Sequence, residues 1–170
     1  METNISQMKL KSGKLSQNDW SKLNKIVKIL SKLPIFIDDS FNLSILDIRS
    51  KIKTIIFEQN NIGLIILDYL QLMQSSNNER ENRVQELSKI TRSLKTLARE
   101  FNIPIIALSQ LSRNVENRID KRPILSDLRE SGSIEQDADL VLMLHQNNQY
   151  NSNQPNEQTL QITELLIAKQ

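Results

Sequence analysis

The stretch Ile62-Gly63-Leu64-Ile65-Ile66-Leu67-Asp68-Tyr69-Leu70-Gln71-Leu72-Met73 decides the fold. From Ile62 to Leu67 only Gly63 breaks an apolar run, and a carboxylate follows at once. A short apolar run of this kind reads as a strand buried on both faces of a parallel sheet. Open α/β sheets bind their ligands at the carboxyl ends of such strands, so Asp68 falls on the edge where chemistry is expected. An acid in that position suits the magnesium of a bound nucleotide.

Outward from this strand the pattern alternates. On its amino-terminal side Ser44 can cap a helix that carries Ile45, Ile48, Ile52, Ile55 and Ile56 on one face, and Asn60-Asn61 stops it. Farther back, Asn18 can cap a helix with Trp20, Leu23, Val27 and Leu30 at helical spacing, ended by Pro34. Ile35-Phe36-Ile37 reads as a short strand, and residues 1–16 as a frayed lead-in with a turn at Gly13. On the carboxyl side, Glu79 to Phe101 keeps the three-four spacing through Val84, Leu87, Ile90, Leu94 and Leu97. Then come a strand at Ile103–Leu108, a basic irregular segment from Leu111 to Arg129, and a short helical turn at Ile134–Asp139. A strand at Leu140–Leu144, an Asn/Gln loop and a last strand at Thr159–Ala168 complete the chain. Strand–helix–strand alternation predicts a parallel sheet with right-handed crossovers in one domain.

Composition bounds the chemistry. A chain of 170 residues, 38% hydrophobic, can build one core. The absence of Cys excludes a disulfide framework and a thiolate metal site, and a single His leaves no His-built metal centre. A net charge of +2 makes any nucleic-acid contact local rather than global. No apolar run reaches the roughly 20 residues that span a bilayer, and the first ten residues lack a secretory core. Abundant Ile, Asn and Lys suggest an AT-rich coding genome, such as that of an organelle.

Three strand ends meet on one edge in this reading. They deliver Asp68, then Ser109 and Gln110, then His145 and Gln146. A polar residue also ends many strands merely because the chain leaves the core there. The usual phosphate cradle, Gly-x-x-x-x-Gly-Lys-Ser/Thr, does not occur; Gly13-Lys14 is followed by Leu15 and reads as an ordinary turn. Arg113, Arg118, Lys121, Arg122 and Arg129 suit contacts to a nucleic-acid backbone, or simply form a solvated loop. Arg129-Glu130-Ser131-Gly132 adds a guanidinium beside a tight turn whose backbone N–H groups could face a phosphate.

LIILDYLQLM (64–73), ENRVQELSKITRSLKTLAREFNIPIIALSQLSR (81–113), DKRPILSDLRESGSIEQDADLVLML (120–144) and ITELLIAKQ (162–170) together resemble the motor domain of replicative DNA helicases of the DnaB family. LKSGKLSQNDW (10–20) and LPIFIDDS (33–40) extend the match over nearly the whole chain, and SDLRESGSIEQDAD is its most specific part. The resemblance implies a RecA-like three-layer α/β sandwich with a mostly parallel central sheet, here an incomplete one. It also implies a homo-hexameric ring around single-stranded DNA that binds ATP and Mg2+ between subunits, in a family that also contacts primase. On this resemblance Asp68 is the magnesium carboxylate, and Gln110 senses the γ-phosphate and signals to the DNA loops. Arg129, Glu130 and Gly132 track the DNA backbone, and Lys169 reaches a neighbour's nucleotide.

The family's phosphate loop, its water-activating glutamate and its primase-binding amino-terminal domain match nothing from Met1 onward. The family continues with Arg-Asn-Gly where this chain reaches Gln170, and His145-Gln146 replaces a usual Tyr-Arg pair. The expectation is a single partial motor domain over residues 1–170, inactive alone and completed by another helicase fragment. The alternatives are a non-catalytic single-stranded DNA-binding or helicase-associated protein, or a degenerate gene product. The expected compartment is a plastid, another AT-rich organelle or a bacterial cytoplasm.

Overall fold

Helix α4, Arg83–Phe101, forms the spine of the core. Leu87, Ile90, Leu94 and Leu97 recur at helical spacing along one face and are all buried. Asn82 caps the helix by accepting from the Val84 N–H, and Asn102 closes it in the left-handed conformation that Asn tolerates. The computed structural model describes residues 5–74, 82–128, 132–146 and 163–170.

Two compact units make up the chain, Met1–Asp39 and Ser40–Gln170. The first holds α1 (Gln7–Ser12) and α2 (Gln17–Leu30). Residues 7–12, expected to be frayed, are helical because Ser6 caps them and Gly13 ends them with φ 69°. Ser16, rather than Asn18, caps α2: its hydroxyl accepts from the Asp19 N–H while Asp19 accepts from the Ser16 N–H. No residue of α2 is buried, so its Trp20–Leu30 stripe is not a core face within this unit. The segment 35–37 is extended but pairs with nothing among the described residues, and the expected strand there is absent. A strand exists only through a hydrogen-bonded neighbour, which short-range propensity cannot supply.

In the second unit α3 (Ile45–Gln59) packs on α4 through Ile48 and Ile52. Ser44 and Asp47 form a reciprocal cap at its start, and Asn60 ends it. The hydrogen bond from the Ser44 hydroxyl, followed by that from its backbone N–H, holds the Asp47 carboxyl below its ordinary 3.8. A carboxyl depressed on folding stabilises the native state above its unfolded pKa, and that contribution disappears as pH falls through the folded value. In urea titrations Asp47→Ala should therefore lower the midpoint at neutral pH, and the gap from wild type should close below about pH 4. A gap that persists at lower pH would contradict this account.

Strands β1 (Ile65–Leu67) and β2 (Ile105–Ala107) pair in parallel, with Ile65, Ile66 and Leu67 opposite Ile105, Ile106 and Ala107. This is the expected crossover, with α4 between the strands. The sheet is not covered on both faces. Ile65, Leu67, Ile105 and Ala107 pack on the core, whereas Ile66 and Ile106 are 60% and 48% exposed. A second sheet joins β3 (Val141–Gln146) to β4 (Thr163–Lys169), and this pairing is antiparallel. The described residues therefore form two separate two-stranded sheets, one parallel and one antiparallel, rather than one continuous parallel sheet. Val141 and Met143 face the core, and Leu142 and Leu144 face outward.

Candidate functional site

Asp68 and Gln110 leave β1 and β2 on the same edge because the strands run in parallel. They line one crevice of about 330 Å³ with Tyr69, Leu108 and Ser109. Backbone bonds continue the pairing beyond the strands: the Leu108 N–H donates to the Leu67 carbonyl and the Leu70 N–H to the Leu108 carbonyl, each at 2.9 Å. The crevice floor is therefore backbone held on both sides, with the Asp68 and Gln110 side chains exposed above it.

Gln71 joins the two strand ends, a role that sequence reasoning missed. Its amide donates to the Ser109 hydroxyl at 3.0 Å, and its side-chain oxygen accepts from the Gln110 N–H at 3.4 Å. Arg83 then fastens the backbone around Gln71 to the start of α4. Its guanidinium donates to the Gln71 carbonyl at 2.8 Å and the Met73 carbonyl at 3.3 Å, and pairs with Glu86. No spacing rule signals these partners, since both act through the backbone of an irregular segment.

The donor set suits magnesium held mainly by phosphates and water. One exposed carboxylate, with a serine hydroxyl and an amide beside it, supplies hard oxygen atoms without building a closed protein cage. Among the described residues no group of three or more His, Cys, Asp or Glu could hold a metal alone. Asp68 would hold such an ion, with Ser109 and Gln110 toward the phosphates. The ion's chemistry there would be to neutralise charge on the phosphate oxygens.

The third strand end does not join this crevice. β3 belongs to the antiparallel sheet, where His145 lies opposite Glu164, and neither His145 nor Gln146 lines the crevice among the described residues. Arg129 and Glu130 lie outside the described residues. Gly132 is the first residue of α5 (Gly132–Asp137) rather than a tight turn. Its φ is unexceptional and the space where a Cβ would stand is open, so nothing within the fold demands glycine there.

Part of the basic segment is turned inward. Arg118 pairs with buried Asp127 and donates to the Arg122 carbonyl, and Asp127 also accepts from the Ile124 N–H at 2.8 Å. Arg122 pairs with Glu164 at 3.2 Å. These two arginines hold the segment against the domain, which leaves Arg113 and Lys121 as its exposed cations. Lys169 is engaged too: its ammonium donates to the carbonyls of Glu135, Ala138 and Gln136 at 2.6, 2.8 and 3.4 Å. It thus caps the carboxyl end of α5, where a cation satisfies carbonyls left over by the helix. Thr91 fixes the same end from α4 by donating to Asp137 at 2.6 Å, and Lys95 pairs with Asp139. The Lys95 ammonium keeps the Asp139 carboxyl below its ordinary range.

A parallel strand pair with an acid and an amide on its carboxyl edge, crossed by one long helix, defines a RecA-like α/β domain, and solved structures agree. The chain superposes on a solved helicase-type ATPase domain with a TM-score of 0.84 at 38% identity, covering 99% of this chain and 59% of that one. It also matches a DnaB-like replicative helicase, solved in a study of its interactions with primase, with a TM-score of 0.85 at 38% identity. That match covers 99% of this chain and 41% of that one. The family described as "DnaB-like helicase C terminal domain" matches residues 1–170, and the chain belongs to it. Among curated proteins, a probable replicative DNA helicase of Trieres chinensis is 68% identical over 99% of this chain and 37% of its own length. The replicative DNA helicase DnaB of Geobacillus stearothermophilus is 50% identical over 99% of this chain and 36% of its own length. The chain thus spans about a third of the length of these relatives.

Proposed function

We propose that residues 1–170 are one part of a replicative helicase motor, which couples ATP hydrolysis to movement along single-stranded DNA and to duplex unwinding. The observation that carries this reading is the shared crevice of Asp68 and Gln110, in a chain that belongs to the DnaB-like family. Asp68 is the magnesium carboxylate. Gln110 faces the phosphates while its backbone is held by Gln71, so a change at the γ-phosphate passes into the segment that follows β2. That segment leads through the Arg118–Asp127 pair toward Arg129, Glu130 and Gly132, which are proposed to follow the DNA backbone.

Both compact units are proposed to serve one motor domain. The assembly is a hexamer, or a complex with a helicase fragment that supplies the phosphate cradle, and it places Lys169 near a neighbour's nucleotide. Such a move would cost Lys169 its bonds to the end of α5. Primase is a partner of the larger assembly. The Ile, Asn and Lys bias and the Trieres chinensis relative support a plastid or a similar bacterial-type replication system. Among the described residues no helix is long and apolar enough to cross a membrane.

The test is ATP turnover by the protein carrying residues 1–170, with and without oligo(dT). DNA should raise turnover, and Gln110→Ala should keep nucleotide binding while losing most of that stimulation. A Gln110→Ala protein that is stimulated as strongly as wild type would remove Gln110 from the coupling. Turnover indifferent to DNA in the wild type would remove the motor reading itself.

A further inference from the structure

A second groove, of about 510 Å³, runs between α4 and α5 and shares no lining residue with the Asp68 crevice. One wall is a single stripe of α4: Val84, Gln85, Ser88, Lys89 and Arg92. Gly132, Ser133 and Gln136, on one side of α5, form the other. The lining carries two cations and no carboxylate. Lys89 and Arg92 are three apart on the helix, so both project over the same stretch of groove. Arg92 is exposed and forms no ion pair among the described residues.

Two further features point to a ligand. The Ser133 hydroxyl oxygen is buried in the wall and has no hydrogen-bond partner among the described residues. A buried hydroxyl left unsatisfied is costly, and a small rotation about χ1 would bring it onto an anion seated beside it. Gly132 leaves open space where any other residue would place a Cβ, so a ligand can come close to the backbone at that end. Apart from Val84 the lining is polar, which favours a hydrophilic anion over an apolar segment. A guanidinium, an ammonium and a hydroxyl around a glycine-lined opening match the tetrahedral oxygens of a phosphate.

We propose that the α4–α5 groove seats a backbone phosphate of single-stranded DNA, with Arg92 and Lys89 as its cations and Ser133 as its hydroxyl donor. The proposal rests on the motor reading above and adds a phosphate seat on α4 to the residues of the 129–132 segment.

The experiment is fluorescence anisotropy of labelled oligo(dT) with the 170-residue chain across a salt series. Variants are Lys89→Ala/Arg92→Ala, Ser133→Ala, Arg129→Ala and, as a control on another face, Lys53→Ala. Each phosphate contact on a single strand contributes a slope of about −0.7 in log affinity against log salt. The double variant should bind roughly tenfold more weakly and lose about 1.4 from the slope. Ser133→Ala should show a smaller loss and Lys53→Ala none, with thermal midpoints unchanged because the altered cations are exposed. If Arg129→Ala weakens binding while the double variant keeps wild-type affinity and slope, the groove is not a DNA seat and the motor reading survives. If wild type fails to bind at low salt, both fall. Poly-glutamate displacing oligo(dT) at equal charge would assign the groove to an acidic protein partner and overturn the DNA assignment.

Discussion

Asp68→Asn in the protein carrying residues 1–170 is expected to lower magnesium-dependent ATP turnover by roughly 10²–10³-fold, on the order of 3–4 kcal/mol of transition-state stabilisation. Phosphoryl transfer leaves a protein little covalent work, so positioned charge supplies most of the rate. Asn keeps the shape of the side chain and removes its charge, so the loss reads out the carboxylate rather than the packing. Asp68 is exposed above the crevice, and surface changes of this sort move stability by only about 0.5 kcal/mol. The thermal midpoint should therefore hold while turnover falls. Turnover within a few-fold of wild type, with magnesium still required, would mean that another group carries the ion.

Leu87→Ala should have the largest effect on stability. Leu87 is 0% exposed and lies in the cluster where α4 meets Ile48, Ile52, Leu70, Met73 and Ile134. Truncation removes the transfer free energy of its methyl groups and leaves a cavity that a tight core closes only in part. The expected cost is about 3 kcal/mol, within the usual span for buried leucines. For a chain of this length that corresponds to a midpoint roughly 6–12 °C lower. Val84 lies on the same helix but is 41% exposed, and Val84→Ala should cost well under about 1 kcal/mol. Equal losses at the two positions would show that the core is not centred on this face of α4.

The contrast between α4 and α2 shows where sequence reading reached its limit. Both carry an apolar stripe at helical spacing. In α4 the stripe is covered by α3, both sheets and α5, and its residues are buried. In α2 nothing in its own unit covers it. Periodicity reports that a face is available for burial, and only the neighbours determine whether burial occurs. The same holds for 35–37, where three apolar residues have strand propensity and no strand to pair with.

The candidate site divides in a similar way. Asp68 and Gln110 were legible because each follows a short apolar run, and parallel pairing then brings their ends to one edge. His145 follows the same rule, but its strand pairs antiparallel and in another sheet, so the rule does not carry it to the crevice. The basic segment reads as a uniform patch in one dimension. In three dimensions Arg118 is taken up by Asp127 and Arg122 by Glu164, and Arg92 on another element emerges as an exposed cation beside a groove.

By itself, the order of residues determined the helices that carry their own caps and stripes, the two strands flanking α4, the carboxylate at the edge of β1 and membership of a helicase family. Those features depend on local spacing, on one crossover and on motif identity, all of which are written along the chain. Tertiary structure decided the antiparallel partner of β3, the open outer face of β1 and β2, the Gln71 bridge beneath the crevice and the seat of Lys169 on α5. Each of these is a pairing between groups far apart in the chain, settled by which polar atoms find partners once the core has closed, and no local pattern records that choice.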